Sequence, residues 1–148
     1  MPSTFLSLYY HVVFSTKDRQ PLIRPEWVSR LHEYLGGTIR GLDGTSLAIG
    51  GTADHVHLLF RLKATHRLSD FMRELKKQIT VWVHEELGEP AFSWQEGYGA
   101  FTVSPNAIDD VRGYVLNQAE HHRKKSFRDE FVEFLDRAGI EFEDRYLD

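Results

Sequence analysis

The order of predicted strands and helices restricts the fold of this chain more than any other sequence feature. Runs rich in aromatic and β-branched residues predict strands, and apolar residues at helical spacing predict helices. Along residues 1–104 they follow as strand, helix, strand, strand, helix, strand. This is the split βαβ order of a ferredoxin-like α+β sandwich, an antiparallel sheet with helices on one face. The other face is expected to be open and available for a site.

We expect a single domain over residues 1–148, because the chain is long enough for one core and has no repeats or linkers. The ferredoxin-like core is predicted at 1–104, a tyrosine-bearing helix at 105–125, and a short helix with an acidic tail at 126–148. The first helix is predicted to begin at Pro25 and the second near Ser69. The strands are predicted within residues 6–16, 45–50, 54–62 and 91–104.

Charge is unevenly distributed along the chain. The net charge is −4, yet residues 129–148 hold eight acidic and two basic side chains, which leaves residues 1–128 at +2. A weakly basic body does not exclude a nucleic-acid partner, because binding depends on local clusters. The absence of cysteine excludes disulfides and thiolate metal sites. Without a long apolar run or a recognisable secretory signal, the sequence predicts a cytoplasmic protein with no membrane partner.

Two histidines on the third predicted strand are the first candidates for a functional site. In ADHVHLLFRL (53–62), His55 and His57 are two residues apart, so their side chains point to one face of the strand. They either bind a metal ion or are polar groups on a hydrated sheet face, and the pair alone favours the hydrated face. Asp54 either orients a ligand histidine or merely starts the strand, and we favour the second.

The predicted helix at 105–125 adds a tyrosine and a glutamine. Tyr114 and Gln118 are four residues apart and share a helical face. Gly113 stands mid-helix, where glycine costs about 1 kcal/mol relative to alanine. It marks either a mobile segment or a close helix-packing contact.

Together these residues suggest phosphodiester chemistry. His55, His57 and Gln118 offer three neutral ligands to a divalent cation, and their type favours Mn, Co, Ni or Zn over Mg. Tyr114 would attack phosphorus and form a phosphotyrosine, from which a free 3′-OH rejoins the strand without ATP. Single-stranded DNA suits this reaction because its backbone bends easily, and no small-molecule substrate is expected.

Basic residues are candidates for contacts to DNA phosphates. They fall after the first predicted strand, on the second helix and after Gln118. The candidates are Lys17, Arg19, Arg73, Lys76, Lys77, Arg123, Lys124 and Lys125.

The chain resembles the small bacterial insertion-sequence transposases of the HUH, single-tyrosine class, which move single-stranded DNA. The resemblance covers nearly the whole chain and includes HVVFSTKDRQPLI, GGTADHVHLLFRL, WQEGYGAFTVS and YVLNQAEHHRKKSF. It implies that His55, His57 and Gln118 are metal ligands and that Tyr114 forms a 5′-phosphotyrosine. It also implies Mg or Mn as the metal, hairpin-forming DNA ends, and a homodimer in which the tyrosine helix completes the partner's histidine pair, with Gly113 as a hinge.

Three other functions stay open at this point. A domesticated nickase would use the same chemistry without mobility, and flanking terminal palindromes would distinguish the two. A non-catalytic ferredoxin-like nucleic-acid-binding module would be expected to carry aromatic residues where the third strand has His55 and His57. A metal-dependent phosphoesterase would use bound water and leave Tyr114 without a role.

Overall fold

The computed structural model describes residues 3–122 and 124–143 and contains one four-stranded antiparallel sheet. Its strand order is β2-β3-β1-β4, so β1 and β3 are central. This confirms the predicted ferredoxin-like fold. The strands are β1 (Tyr9–Ser15), β2 (Thr45–Gly51), β3 (His55–Arg61) and β4 (Gly99–Val103). The helices are α1 (Val28–Gly41), α2 (Leu68–Glu86), α3 (Ile108–Leu116), α4 (Gln118–His121) and α5 (Phe127–Ala138).

The main core lies between one sheet face and helices α1 and α2. Side chains alternate between the faces of a strand, so Val12 and Phe14 of β1 share this face with Leu58 of β3. Their helical neighbours recur at three- and four-residue spacing. These are Leu31, Leu35 and Ile39 of α1, and Phe71, Met72, Leu75, Ile79 and Val83 of α2. Each such burial contributes roughly 1.5–3 kcal/mol, which fixes the central strands firmly.

The second sheet face is also covered, so the prediction of an open face is wrong. Helix α3 packs Val115 against Ala48 and Leu59. A Cβ atom on Gly50 would lie 1.8 Å from the Val115 carbonyl oxygen, so the missing side chain allows this close approach. Helix α5 packs on the same face beside Gly99. The sequence pattern did not reveal this cover, because the docking of an amphipathic helix on a distant strand is not a local property.

The helix at 105–125 is interrupted. Asn117 has φ −106° and ψ 30°, and it separates α3 from α4. Asparagine has low helix propensity because its side chain competes for backbone hydrogen bonds. Residues Pro105–Ala107 form a 3₁₀ turn before α3. The turn at Asn117 leaves Tyr114 in α3 and places Gln118 at the start of α4.

Two helix starts also differ from the predictions. Helix α1 begins at Val28 rather than Pro25, and α2 begins at Leu68 with Arg67 at its N-cap rather than Ser69. At 19 residues, α2 carries charged side chains along its outer side. Among the helices of residues 3–122 and 124–143, none combines the length and apolar character that crossing a bilayer requires.

Candidate active site

The two β3 histidines lie at the centre of the second sheet face and are fully buried. The Nδ1 atom of His55 lies 2.8 Å from Asp54 Oδ1. The Nδ1 atom of His57 lies 2.8 Å from His11 Nε2. Both rings are therefore held at Nδ1, and both Nε2 atoms point towards the space beneath α4 and α5. Asp54 contacts His55 as well as preceding β3. This contact favours the role of orienting His55 over the role we had favoured from the sequence, that of merely starting the strand.

Gln118 joins the histidines through its side chain. Its Nε2 donates to the Tyr114 carbonyl at 3.0 Å, which turns Oε1 to within 3.2 Å of His55 Nε2. When the His55 proton is on Nδ1, facing Asp54, the ring nitrogen and the amide oxygen both present lone pairs. Two buried acceptors facing one another suit a cation between them, so these residues fit a metal ion.

Glu130 of α5 lies between the histidines and the tyrosine and is 1% exposed. Its Oε1 is 2.9 Å from His57 Nε2 and 3.1 Å from His122 Nε2. One ligand atom from each of His55, His57, His122 and Glu130 lies within 4.8 Å of the others. Burial disfavours the charged form of Glu130, but contacts with His122 and His57 outweigh it and hold its pKa well below the usual range. The anion is thus stable inside the site.

Tyr114 faces the same carboxylate from α3. Its hydroxyl donates to Glu130 Oε2 and lies 3.1 Å from His121 Nε2. Its ring centroid is 5.7 Å from that of His57. Burial, together with the Glu130 charge, raises the pKa of Tyr114 far above its usual value. The phenol is therefore protonated at neutral pH, and its attack on an electrophile requires a proton acceptor.

Burial also determines the charge of the histidines around this carboxylate. It lowers the pKa of His57 to about 4 and that of His11 to about 3. Burial works against protonation of His122 too, but the Glu130 carboxylate raises its pKa. At neutral pH His57 is neutral and has a ring lone pair to offer, as metal ligation requires.

Helix α5 covers the histidines from the solvent side. Ser126 caps its N-terminus by accepting from Asp129 N–H at 3.2 Å, and Gly139 ends it with φ 68°. The Phe127 ring stacks on His55 with centroids 4.5 Å apart. A cavity of about 290 Å³ borders Tyr114 on one side of Glu130. A groove of about 710 Å³ borders Asp54 and His122 on the other.

Comparison with known proteins identifies the family. The family described as "Transposase IS200 like" matches residues 4–118, most of the chain. The chain belongs to this family. The transposases for insertion sequence element IS200 of Salmonella typhimurium and Salmonella typhi are each 27% identical to it over 124 residues, covering 77% of this chain and 78% of the relative. The predicted single-tyrosine HUH class is thereby confirmed.

Two solved structures share the fold of this transposase. A transposase candidate from Deinococcus radiodurans superposes with a TM-score of 0.64 at 22% identity, covering 80% of this chain and 95% of the other. A REP-associated tyrosine transposase bound to a REP hairpin gives a TM-score of 0.55 at 15% identity, covering 78% and 70%. At these identities the likeness supports the ferredoxin-like fold.

The basic candidates divide between the two sheet faces. Those on α2 lie opposite the histidines: Arg73 pairs with Asp70 at 3.1 Å, and Lys77 is exposed. Half-buried Lys76 donates to the carbonyls of Gln95 and Gly97, so it tethers a loop. Lys17 and Lys124 are exposed, Arg19 and Lys125 line the 710 Å³ groove, and Arg123 lies outside the described residues.

Sequence reasoning missed three site residues: Glu130, His122 and His11. Glu130 left a usable signal, because it stands three residues from Phe127 and four from Phe134, within the apolar stripe of α5. A lone carboxylate in such a stripe is rarely buried without a partner. His122 lies in the basic run HHRKK and His11 in a predicted strand, and neither position identifies its partner.

Proposed function

We propose that this transposase cleaves and rejoins single-stranded DNA through a 5′-phosphotyrosine on Tyr114, assisted by a divalent cation. One observation carries the proposal. The Tyr114 hydroxyl and His57 Nε2 contact the two oxygens of one buried carboxylate, Glu130. A nucleophile and a set of metal-binding groups from β3, α3, α4 and α5 are thereby within reach of one phosphate group.

The cation would be held by His55, His57 and Gln118, with Glu130 and His122 as further ligands. The predicted ions are Mg or Mn, and the amide and carboxylate oxygens in this set suit both better than two imidazoles alone. When bound, the ion polarises the phosphodiester and stabilises the leaving 3′-oxygen. Asp54 holds the His55 ring through Nδ1, as orienting partners of metal-binding histidines do.

Tyr114 performs the bond exchange. Its Oη forms a bond to phosphorus while the P–O3′ bond breaks, and the phenolic proton passes towards Glu130 Oε2, with His121 Nε2 as a second neighbour. The leaving 3′-oxygen takes up one proton in exchange for the phenolic proton, so the products are a 5′-phosphotyrosine and a free 3′-OH. Rejoining reverses the exchange and needs no ATP, because the phosphodiester energy is kept in the tyrosyl ester.

The DNA partner is proposed from the family and from the surroundings of the site. The REP-associated relative is bound to a hairpin, and we propose that this chain also takes hairpin-forming single strands. Arg19 and Lys125 in the groove, with Lys17 and Lys124 nearby on the surface, are the proposed phosphate contacts. A homodimer stays a prediction. Within one chain Tyr114 already lies beside its own His57, so cleavage in cis is possible without a partner.

A covalent-adduct assay tests the proposal. The full chain is incubated with single-stranded DNA from its own locus and Mn²⁺, and a denaturing gel detects protein joined to DNA. We expect an adduct from the unmodified chain and from Tyr34→Phe, a control on α1, and none from Tyr114→Phe. An adduct that survives Tyr114→Phe refutes the nucleophile assignment.

Two further outcomes of this assay would support the alternative functions, a phosphoesterase or a binding module. Cleavage without an adduct supports a water-based phosphoesterase, and tight binding without cleavage supports a binding module. His57→Ala should abolish cleavage and retain hairpin binding, which fluorescence anisotropy measures. Loss of both would mean that His57 is structural.

A further inference from the structure

His11 is a buried histidine that contacts His57 and takes no part in the proposed bond exchange. It lies on β1, and its side chain projects from the same sheet face as His57. It is 4% exposed, and its Nε2 lies 2.8 Å from His57 Nδ1. Aromatic rings enclose it: its centroid is 5.1 Å from that of Phe134 and 6.2 Å from that of Tyr114. Such packing leaves the ring little freedom to turn away from His57.

The direction of the hydrogen bond between His11 Nε2 and His57 Nδ1 depends on what occupies His57 Nε2. In the present structure Nε2 faces the Glu130 carboxylate at 2.9 Å, so a neutral His57 carries its proton there, and Nδ1 accepts from its partner. Coordination of a cation through His57 Nε2 instead requires that nitrogen to be unprotonated, so the proton must be on Nδ1. The partner of Nδ1 must then accept. Only a group that both donates and accepts satisfies the two states.

A neutral imidazole is such a group, since each nitrogen donates in one tautomer and accepts in the other. We propose that His11 is a positioning residue that orients His57 and exchanges hydrogen-bond direction with it when a divalent cation binds. In the exchange each ring loses a proton at Nε2 and gains one at Nδ1, so the pair keeps two protons. The inference rests on the proposed function, because it presumes the cation site.

His55 provides an internal contrast. Its Nδ1 lies 2.8 Å from Asp54 Oδ1 and 3.1 Å from Thr52 Oγ1. The Asp54 carboxylate only accepts, so this contact places the His55 proton on Nδ1 and leaves Nε2 without one. Thr52 Oγ1, 3.2 Å from Asp54 Oδ1, supports that carboxylate. The two histidines of β3 therefore differ. His55 keeps its proton on Nδ1 with and without the cation, whereas His57 changes tautomer when the cation binds.

Nitrogen NMR tests the exchange directly on the unmodified, ¹⁵N-histidine-labelled full chain. We expect the His57 proton on Nε2 without metal and on Nδ1 after Mg²⁺ addition, while His55 keeps its proton on Nδ1. If His57 carries its proton on Nδ1 in both states, the proposed exchange is refuted. If Mg²⁺ and Mn²⁺ leave all histidine signals unchanged, the cation site itself fails, and with it the proposed function.

Two substitutions test the positioning role by Mn²⁺ binding, measured by calorimetry. His11→Phe keeps a planar ring but no hydrogen bond, and we expect Mn²⁺ affinity to fall roughly 10- to 100-fold. His11→Gln offers both an N–H and an oxygen and should restore most of that affinity. His32→Phe, on α1, is the matched control and should bind like the unmodified chain. Equal Mn²⁺ affinity in His11→Phe and the control refutes the role.

Discussion

Replacing Glu130 by glutamine removes one negative charge from the centre of the site and leaves the side-chain shape nearly unchanged. The carboxylate is 1% exposed and contacts His57, His122 and Tyr114. In Glu130→Gln the amide oxygen can still accept one hydrogen bond, but the charge that compensates the buried polar groups is lost.

The expected loss of stability follows from these contacts. Removing one partner of a buried ion pair outright costs about 3–5 kcal/mol. Hydrogen bonds to charged groups contribute about 1.5–3 kcal/mol, and the amide of Glu130→Gln retains part of this. We therefore expect the unfolding free energy at pH 7 to fall by about 1–3 kcal/mol. For a chain of about this length each kcal/mol lowers Tm by roughly 2–4 °C.

The stability that Glu130 contributes should decrease on acidification. The pKa of Glu130 is lower in the folded than in the unfolded chain, so the unfolded chain takes up its proton first on acidification. The Glu130 contribution is therefore fully present above about pH 4.5, the usual glutamate range, and declines below it. The stability difference between the unmodified chain and Glu130→Gln should narrow as pH falls from 5 to 3.

Urea denaturation at pH 7, 5, 4 and 3 measures this difference. Glu133→Gln is the matched control, because Glu133 is exposed on the same helix and pairs only with Lys125 among the ion pairs of the described residues, at the surface, where such a pair contributes little. Its stability should stay within about 0.5 kcal/mol of the unmodified chain at pH 7. If Glu130→Gln is no less stable than this control at pH 7, or the stability difference widens as pH falls from 5 to 3, the stabilising role of the buried Glu130 carboxylate is refuted.

Further predictions concern two glycines and two lysines. Gly50→Ala places a Cβ atom 1.8 Å from the Val115 carbonyl oxygen, so urea denaturation should show a loss of about 1–3 kcal/mol or more, and adduct yield should fall as α3 shifts. A Cβ atom on Gly113 has no described atom within 4 Å, so the alternative of a close helix-packing contact is wrong. Gly113→Ala should therefore stabilise α3 by up to about 1 kcal/mol, and a lower adduct yield in this variant would support a hinge at Gly113. Lys76→Met should destabilise the fold by about 1–3 kcal/mol, since it removes the hydrogen bonds from Lys76 to the Gln95 and Gly97 carbonyls, and it should leave the salt dependence of DNA binding unchanged. Lys124→Ala should leave stability unchanged and reduce the slope of log affinity against log salt by about one.

The core was predictable because its signals are local. Alternation in β3 gave the common face of His55 and His57, and helical spacing gave the apolar faces of α1 and α2. Four-residue spacing on a helix also suggested that Gln118 and Tyr114 act together. In the structure the Gln118 side chain donates a hydrogen bond to the Tyr114 carbonyl across the turn at Asn117. The spacing of residues in the sequence is that of a continuous helix and does not indicate this turn.

The remainder of the site depends on contacts between distant segments. Glu130 follows His57 by 73 residues, and His11 precedes it by 46. Neither separation is encoded in a spacing rule, because each depends on which strands pair and where α5 packs. The same docking of α5 covers the face that the two-layer prediction left open.

Glu130 lies beyond residue 118, where the match to the IS200-like family ends, yet it supplies the carboxylate that faces both His57 and Tyr114. A carboxylate oxygen among imidazole nitrogens is the ligand that Mg and Mn favour. If Glu130 is a ligand, Glu130→Gln weakens Mn²⁺ binding, whereas if it only occupies the cation's place, the same change strengthens binding by removing a competitor. We expect weaker Mn²⁺ binding in calorimetry. Tighter binding would mean that α5 closes the site against the cation.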